Sequence, residues 1–280
     1  MVVFVPFRHL FSSLVAATLL SFLAGGPVVA QDASPWVSDQ HSSVRLIAGS
    51  RNGSVLLGGI AFQLQPGWKT YWRTPGDSGV PPRFDFSASD NIEAVTVLWP
   101  APMQFPDGAG GTSFGYHKQL LLPLRIIAKK PDKPVTLRAE INYAVCDKLC
   151  IPVDAKAEVS FLSAASAEDS SLTAALDTVP QPAKIGDPNP LTIQQVSRNG
   201  NSVIIDVASP GGKDVHLFVE GPTPDWALPP PKLLERTATG LQRFSFELDG
   251  LPSGAKPEGA ALKLTLVGEG RAYEFATTLN

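Results

Sequence analysis

The chain has 280 residues, is 44% hydrophobic and 18% charged, and carries a formal net charge of −3. That apolar content excludes an intrinsically disordered chain, and mild acidity without a basic run excludes a nucleic-acid binder. Its 26 prolines and 24 glycines recur too often for a helical bundle; they point to short strands joined by turns, an all-β chain.

In chain order, residues 1–30 read as a secretory signal. Arg8 and His9 form a short basic start, residues 10–23 are apolar, and Val28-Val29-Ala30 supplies small residues before a cut that leaves Gln31 first. An uncleaved anchor is the competing reading, but the apolar run is short for a membrane span and ends in Gly25-Gly26-Pro27. Removing this segment takes away one base, Arg8, from the 23 present, leaving 22 against 26 acids. The expected mature protein is soluble and exported.

A first β domain is expected over 32–163. Its candidate strands are 44–48, 54–64, 69–72, 83–86, 92–99, 120–128, 135–145 and 151–162, rich in β-branched and aromatic residues and bounded by Gly, Pro and Asp. Apolar residues alternate clearly over 136–143, which gives one buried and one wet face. About eight such strands at this spacing suggest an immunoglobulin-like β-sandwich. Residues 164–190 read as a linker with a short helix at 167–178, started by the capping pair Ser166 and Asp169 and followed by four prolines. A second, smaller immunoglobulin-like β domain is expected over 191–280, with strands at 192–197, 202–208, 215–220, 242–248, 261–267 and 272–278 and a hairpin turn at Asn199-Gly200. It holds no cysteine and one histidine, His216; its expected role is structural or docking.

The two cysteines of the chain, Cys146 and Cys150, lie in Tyr143-Ala144-Val145-Cys146-Asp147-Lys148-Leu149-Cys150-Ile151-Pro152. A β run enters and another leaves, so the three intervening residues make a hairpin connection with the cysteines facing each other across its mouth. Disulfide geometry asks for Cα atoms about 4.4–6.8 Å apart, which such a mouth supplies. Three readings stay open. A structural staple closing about five residues restrains the unfolded chain by only about 2 kcal/mol. A redox pair at an accessible tip suits thiolate attack. Two thiolates also suit Cu(I), with Met103 and His117 as assistants if the fold brings them near. No cofactor is expected for the redox reading.

Three further segments stand out. Gly76-Asp77-Ser78-Gly79 has the look of a serine nucleophile motif, but the segment 74–79 is a good turn, and His41 is the only preceding histidine of the mature chain. Residues 67–72 are aromatic-dense and read as core plus one exposed ring or as a partner surface. Residues 105–116 contain four glycines and read as a long loop. They are either plain surface or a lid whose ring covers the cysteines.

Together, Gly67-Trp68-Lys69-Thr70-Tyr71-Trp72-Arg73, Pro75-Gly76-Asp77-Ser78-Gly79, Trp99-Pro100-Ala101-Pro102, Gly115-Tyr116 with Leu121-Leu122-Pro123-Leu124, and Tyr143 through Pro152 resemble the N-terminal periplasmic domain of DsbD-type thiol:disulfide interchange proteins. They look closest to the ScsB-like branch associated with copper tolerance, which also has an extra immunoglobulin-like domain. The resemblance covers most of 40–162. It implies a periplasmic domain that takes electrons from a thioredoxin-like domain and passes them to disulfide isomerases or other oxidised partners. It assigns Cys146 and Cys150 as the redox pair; in an exchange reading Cys146 is marginally favoured as the partner-linked sulfur. It also assigns 105–116 as a cap, with Phe105, Phe114 or Tyr116 as shielding rings. The cysteine spacing is shorter than in the best-known DsbD domain. With no membrane segment and no thioredoxin-like domain in this sequence, the electron donor is expected to be a separate membrane protein.

Overall fold

The computed structural model describes residues 1–4, 31–108 and 110–280; the signal-peptide reading therefore falls largely outside the described residues. The first half of the chain forms β1 (Val37–Ser38), β2 (Ser42–Ala48), β3 (Val55–Leu64), β4 (Lys69–Gly76), β5 (Arg83–Asp85), β6 (Ile92–Val97), β7 (Met103–Pro106), β8 (Thr112–His117), β9 (Gln119–Ala128), β10 (Thr136–Cys146) and β11 (Cys150–Ser160). A short helix, α1 (Asp169–Leu176), follows. Then come β12 (Gln181–Ala183), β13 (Thr192–Asn199), β14 (Ser202–Ala208), β15 (His216–Glu220), β16 (Lys232–Arg236), β17 (Gln242–Glu247), β18 (Ala261–Gly268) and β19 (Arg271–Thr278).

The first sandwich stacks a sheet of order β1-β2-β3-β9-β6 on one of order β11-β10-β4-β8-β7, with β5 also paired to β10. Alternation builds its core: Val44, Leu46, Ile60, Phe62, Leu122, Leu124 and Ile126 from one sheet meet Trp72, Phe114, Leu137, Ile141, Tyr143 and Val145 from the other. Below the cysteine hairpin, Tyr143 joins the sheets. Its ring meets Phe62 edge-on at 5.1 Å and its hydroxyl lies 2.8 Å from the Ser42 hydroxyl. The second sandwich pairs β12-β19-β18-β15 with β13-β14-β17-β16 over a core that includes Ile193, Ile205, Leu217, Val219, Phe246, Leu264 and Phe275. The all-β, twin-sandwich expectation therefore holds.

Three local readings change. Residues 105–116 are a β-hairpin, not a long loop: β7 and β8 pair from Met103↔Gly115 to Pro106↔Thr112, because Asp107 closes the tip by accepting from the Gly111 N–H at 2.8 Å. The β13–β14 hairpin turns on Gly200-Asn201, with Asn199 and Ser202 as the closing pair and Gly200 at φ +62°. At the start of α1, Ser166 and Asp169 act one step off the expected cap. The Ser166 hydroxyl accepts from the Glu168 N–H at 3.0 Å, while the Asp169 carboxylate accepts from the N–H groups of Ser50 and Ser166. Hydrogen bonding by those carboxylate contacts, with Ser50 foremost, holds the Asp169 carboxyl below its ordinary range.

Candidate functional site

The β10–β11 hairpin ends in the register pair Cys146↔Cys150, and the two sulfurs are bonded at 2.06 Å with Cα atoms 4.2 Å apart. Asp147, Lys148 and Leu149 form the tip, closed by the Asp147 N–H donating to the Leu149 carbonyl at 3.3 Å. The two cysteines are not equivalent. Cys146 is also the ladder partner of Lys69 in β4 and is 1% exposed, whereas Cys150 starts the edge strand β11 and is exposed. Leu149, 77% exposed, precedes it, and Ile151 beside it is also exposed. Of the two residues, Cys150 is therefore the more open to solvent.

The ring that covers this disulfide is Tyr71. Its hydroxyl donates to Cys146 Sγ at 2.9 Å and lies 3.2 Å from Cys150 Sγ. Tyr71, Ala144 and Cys146 form a small buried cluster of their own. Burial, and secondarily the Asp107 carboxylate, push the Tyr71 phenol above its ordinary value, so at neutral pH it remains a hydrogen-bond donor. A thiolate left on Cys146 would accept a charge-assisted bond from it.

One glycine lets β8 come close to the β4 backbone at Tyr71, and another makes room for its ring. Tyr71 pairs with Gly115 in β8, where a Cβ would lie 2.0 Å from the Thr70 carbonyl oxygen. On the other side Gly79, at φ +132°, presses its backbone on the ring; a Cβ there would lie 2.4 Å from a ring carbon. The segment around Gly79 is tied to the β7–β8 hairpin: Asp77 exchanges hydrogen bonds with Thr112 at 2.9 and 2.8 Å, and the Ser78 hydroxyl donates to Asp107 at 3.2 Å. Ser78 is thus a loop anchor. His41 stacks on Trp68 at 3.8 Å, so the serine-nucleophile pattern is a turn.

The expected cap rings lie elsewhere. Phe114 is in the first core and meets Phe218 of the second sandwich edge-on at 4.8 Å. Tyr116 is buried, and its hydroxyl donates to the Pro100 carbonyl at 2.7 Å. Strand alternation points both inward. Phe105 faces outward, edge-on to His117 at 5.7 Å and under the Lys69 ammonium at 5.5 Å. It forms a wall of an open cleft of about 720 Å³, together with Trp68, Lys69, His117, Lys118 and Asp147. The cleft runs beside the hairpin tip through Asp147 and Lys69, the neighbours of Cys146 in chain and ladder. Tyr71 was missed as a site residue because an aromatic two residues from Lys69 in a strand reads as core. The glycine at 79 was the available signal.

As for metal, His117 reaches the row of Cys146 only through Lys69 between them, and Met103 is half-exposed on β7. Among the described residues, no group of three or more His, Cys, Asp or Glu side chains is gathered to hold an ion. No described helix is long and apolar enough to cross a membrane.

Fold and site together define a tandem immunoglobulin-like protein with an exposed hairpin disulfide under a tyrosine, the make-up of a thiol–disulfide interchange module. Residues 43–161 match the family model described as thiol:disulfide interchange protein DsbD, N-terminal. The crystal structure of the N-terminal periplasmic domain of ScsB from Proteus mirabilis superposes with a TM-score of 0.72 at 21% identity, covering 89% of this chain and 98% of that one. That likeness extends through both sandwiches and is one of fold. The GAE domain of GGA2p from Saccharomyces cerevisiae covers 46% of this chain and 98% of its own at 10% identity, but its TM-score of 0.30 is too low to inform the fold. No curated protein matches the chain in sequence.

Proposed function

We propose that the Cys146–Cys150 pair is a two-electron relay of the periplasm, reduced by one thioredoxin-like protein and oxidised by another. The supporting observation is the asymmetry of the pair: an exposed Cys150 joined to a buried Cys146 whose sulfur already accepts a hydrogen bond from Tyr71. A thiolate of the reduced donor attacks Cys150 Sγ. The Cys146–Cys150 bond breaks as the intermolecular S–S bond forms, and the electron pair leaves on Cys146 Sγ beneath the Tyr71 hydroxyl. The donor's second thiolate then attacks its own sulfur, closing the donor disulfide and releasing Cys150 as a thiolate. Two electrons have moved onto this chain. The same steps in reverse deliver them to an oxidised acceptor, a disulfide isomerase or similar protein. The donor's own electrons would come from a separate membrane protein.

The cleft of Trp68, Lys69, Phe105 and Lys118 beside the tip, with the exposed Leu149, suits docking of such a partner's apolar rim. Trapping tests the relay. Cys146→Ser, which leaves Cys150 free, should accumulate mixed disulfides with periplasmic proteins under mild oxidation, and Cys150→Ser should accumulate far fewer. Equal absence of adducts from both variants would remove the proposal.

A further inference from the structure

Among its contacts with the first sandwich, which include Phe218 on Phe114 and His216 on Gln104, the second sandwich grips β4 next to Tyr71. β4 follows β8 in register from Lys69↔His117 to Tyr71↔Gly115, then leaves it and rejoins only at Gly76↔Ser113. Of the four residues that leave the ladder, 72–75, the second sandwich holds Trp72, Arg73 and Thr74. The Arg73 guanidinium donates to both carboxylate oxygens of Glu220 at 2.8 and 2.7 Å and to Glu274 at 2.6 Å. The Thr74 hydroxyl donates to Glu220 at 2.9 Å, and Trp72 meets Phe218 edge-on at 5.6 Å.

The register of β15, β18 and β19 places Phe218, Thr265 and Glu274 in one row. They lie on the face turned away from the second core, which Leu217, Val219, Leu264 and Phe275 fill. That outer face would normally be wet, yet Phe218 and Thr265 are fully buried. The gripped bulge sits between Tyr71, which touches both sulfurs, and Gly79, which presses on the Tyr71 ring. Bulges beside a site re-aim the side chains that flank them. The bidentate guanidinium–carboxylate fork has a defined direction that a single hydrogen bond lacks.

We infer that Arg73 is a positioning residue of the disulfide centre: clamped by Glu220 and Glu274 of the second sandwich, it sets β4 so that the Tyr71 hydroxyl stays on Cys146 Sγ. This rests on the exchange reading above. The second sandwich is thereby part of the redox site and not a spacer.

A double-mutant cycle on the full mature chain tests it, read as the pH dependence of alkylation of Cys146 in reduced Cys150→Ala protein. Tyr71→Phe and Arg73→Met should each lower the thiolate fraction at neutral pH, Tyr71→Phe by about tenfold and Arg73→Met by at least threefold. Arg73→Met added to Tyr71→Phe should change nothing further, because both act through one hydroxyl. Glu274→Gln, which keeps the Glu220 fork, should fold normally and give a smaller shift in the same direction, also absent without the tyrosine. Additive effects of Arg73→Met and Tyr71→Phe, or no effect of either Arg73→Met or Glu274→Gln in the presence of Tyr71, would overturn the inference. The exchange reading is checked separately: the wild-type disulfide must be reduced by a small dithiol. If it is inert, that reading fails first, whatever the cycle shows.

Discussion

Gly79 and Tyr71 are packed backbone against ring, so closely that a methyl group on residue 79 would stand 2.4 Å from the tyrosine's Cε1. Gly79→Ala is therefore expected to displace the ring or the segment above it. Overpacking of this kind costs about 1–3 kcal/mol, and the positive φ adds strain. With the cover loosened, reduction of the disulfide by a small thiol should speed up severalfold while stability falls. Thiol-quench kinetics beside urea unfolding check both; unchanged kinetics would show that the segment does not control access.

Loss of the Tyr71 hydroxyl should act on equilibrium. A hydrogen bond to a charged group is worth about 1.5–3 kcal/mol, so Tyr71→Phe should raise the Cys146 thiol pKa by about 1–2 units. The disulfide form then gains on the dithiol, and the reduction potential becomes more negative. Equilibration against a glutathione series measures it, with near-ultraviolet spectra confirming the fold.

Removing the disulfide should matter little to folding. It closes a loop of about five residues, which restrains the unfolded chain by only about 2 kcal/mol. The hairpin beneath is already held by the full β10–β11 ladder and by Val145, Tyr143 and Ile141 in the core. Cys146→Ala with Cys150→Ala is expected to fold and to lose about 2 kcal/mol in urea titration. Failure to fold would favour a structural staple.

Alkaline pH should unfold the protein through its buried phenols. Burial pushes Tyr143 up to about 12 and raises Tyr71 and Tyr116 as well. The unfolded chain releases these protons near pH 10, while the folded chain still holds them. Stability is thus intact below pH 10 and falls as pH climbs from there to 12 and beyond, by at most about 1.4 kcal/mol per pH unit for each tyrosine. Urea midpoints from pH 8 to 12 beside phenolate absorbance check it; phenols titrating near 10 in the folded state would contradict it.

The alternation of apolar residues made β10 legible, runs of β-branched and aromatic residues between turns did so for β3, β9 and β14, and short-range turn chemistry placed the cysteines at a hairpin mouth. The β7–β8 hairpin was not legible, because Gly108, Gly110 and Gly111 signal a loop while its pairing depends on Asp107 closing the tip. β16, exposed along all its residues, lacks the half-buried alternation that marks a strand.

The sequence by itself therefore determined what is local: an all-β chain, the pairing of Cys146 with Cys150, and the family signature around them. The tertiary structure decided which cysteine is exposed, that Tyr71 and not Phe114 or Tyr116 lies on the disulfide, and that Arg73 joins the site to Glu220 and Glu274. Those relations link residues between about 75 and 200 positions apart. Local propensity carries no information over such distances, since they arise only when the bulged strand, the hairpin and the second sandwich compete for the same space.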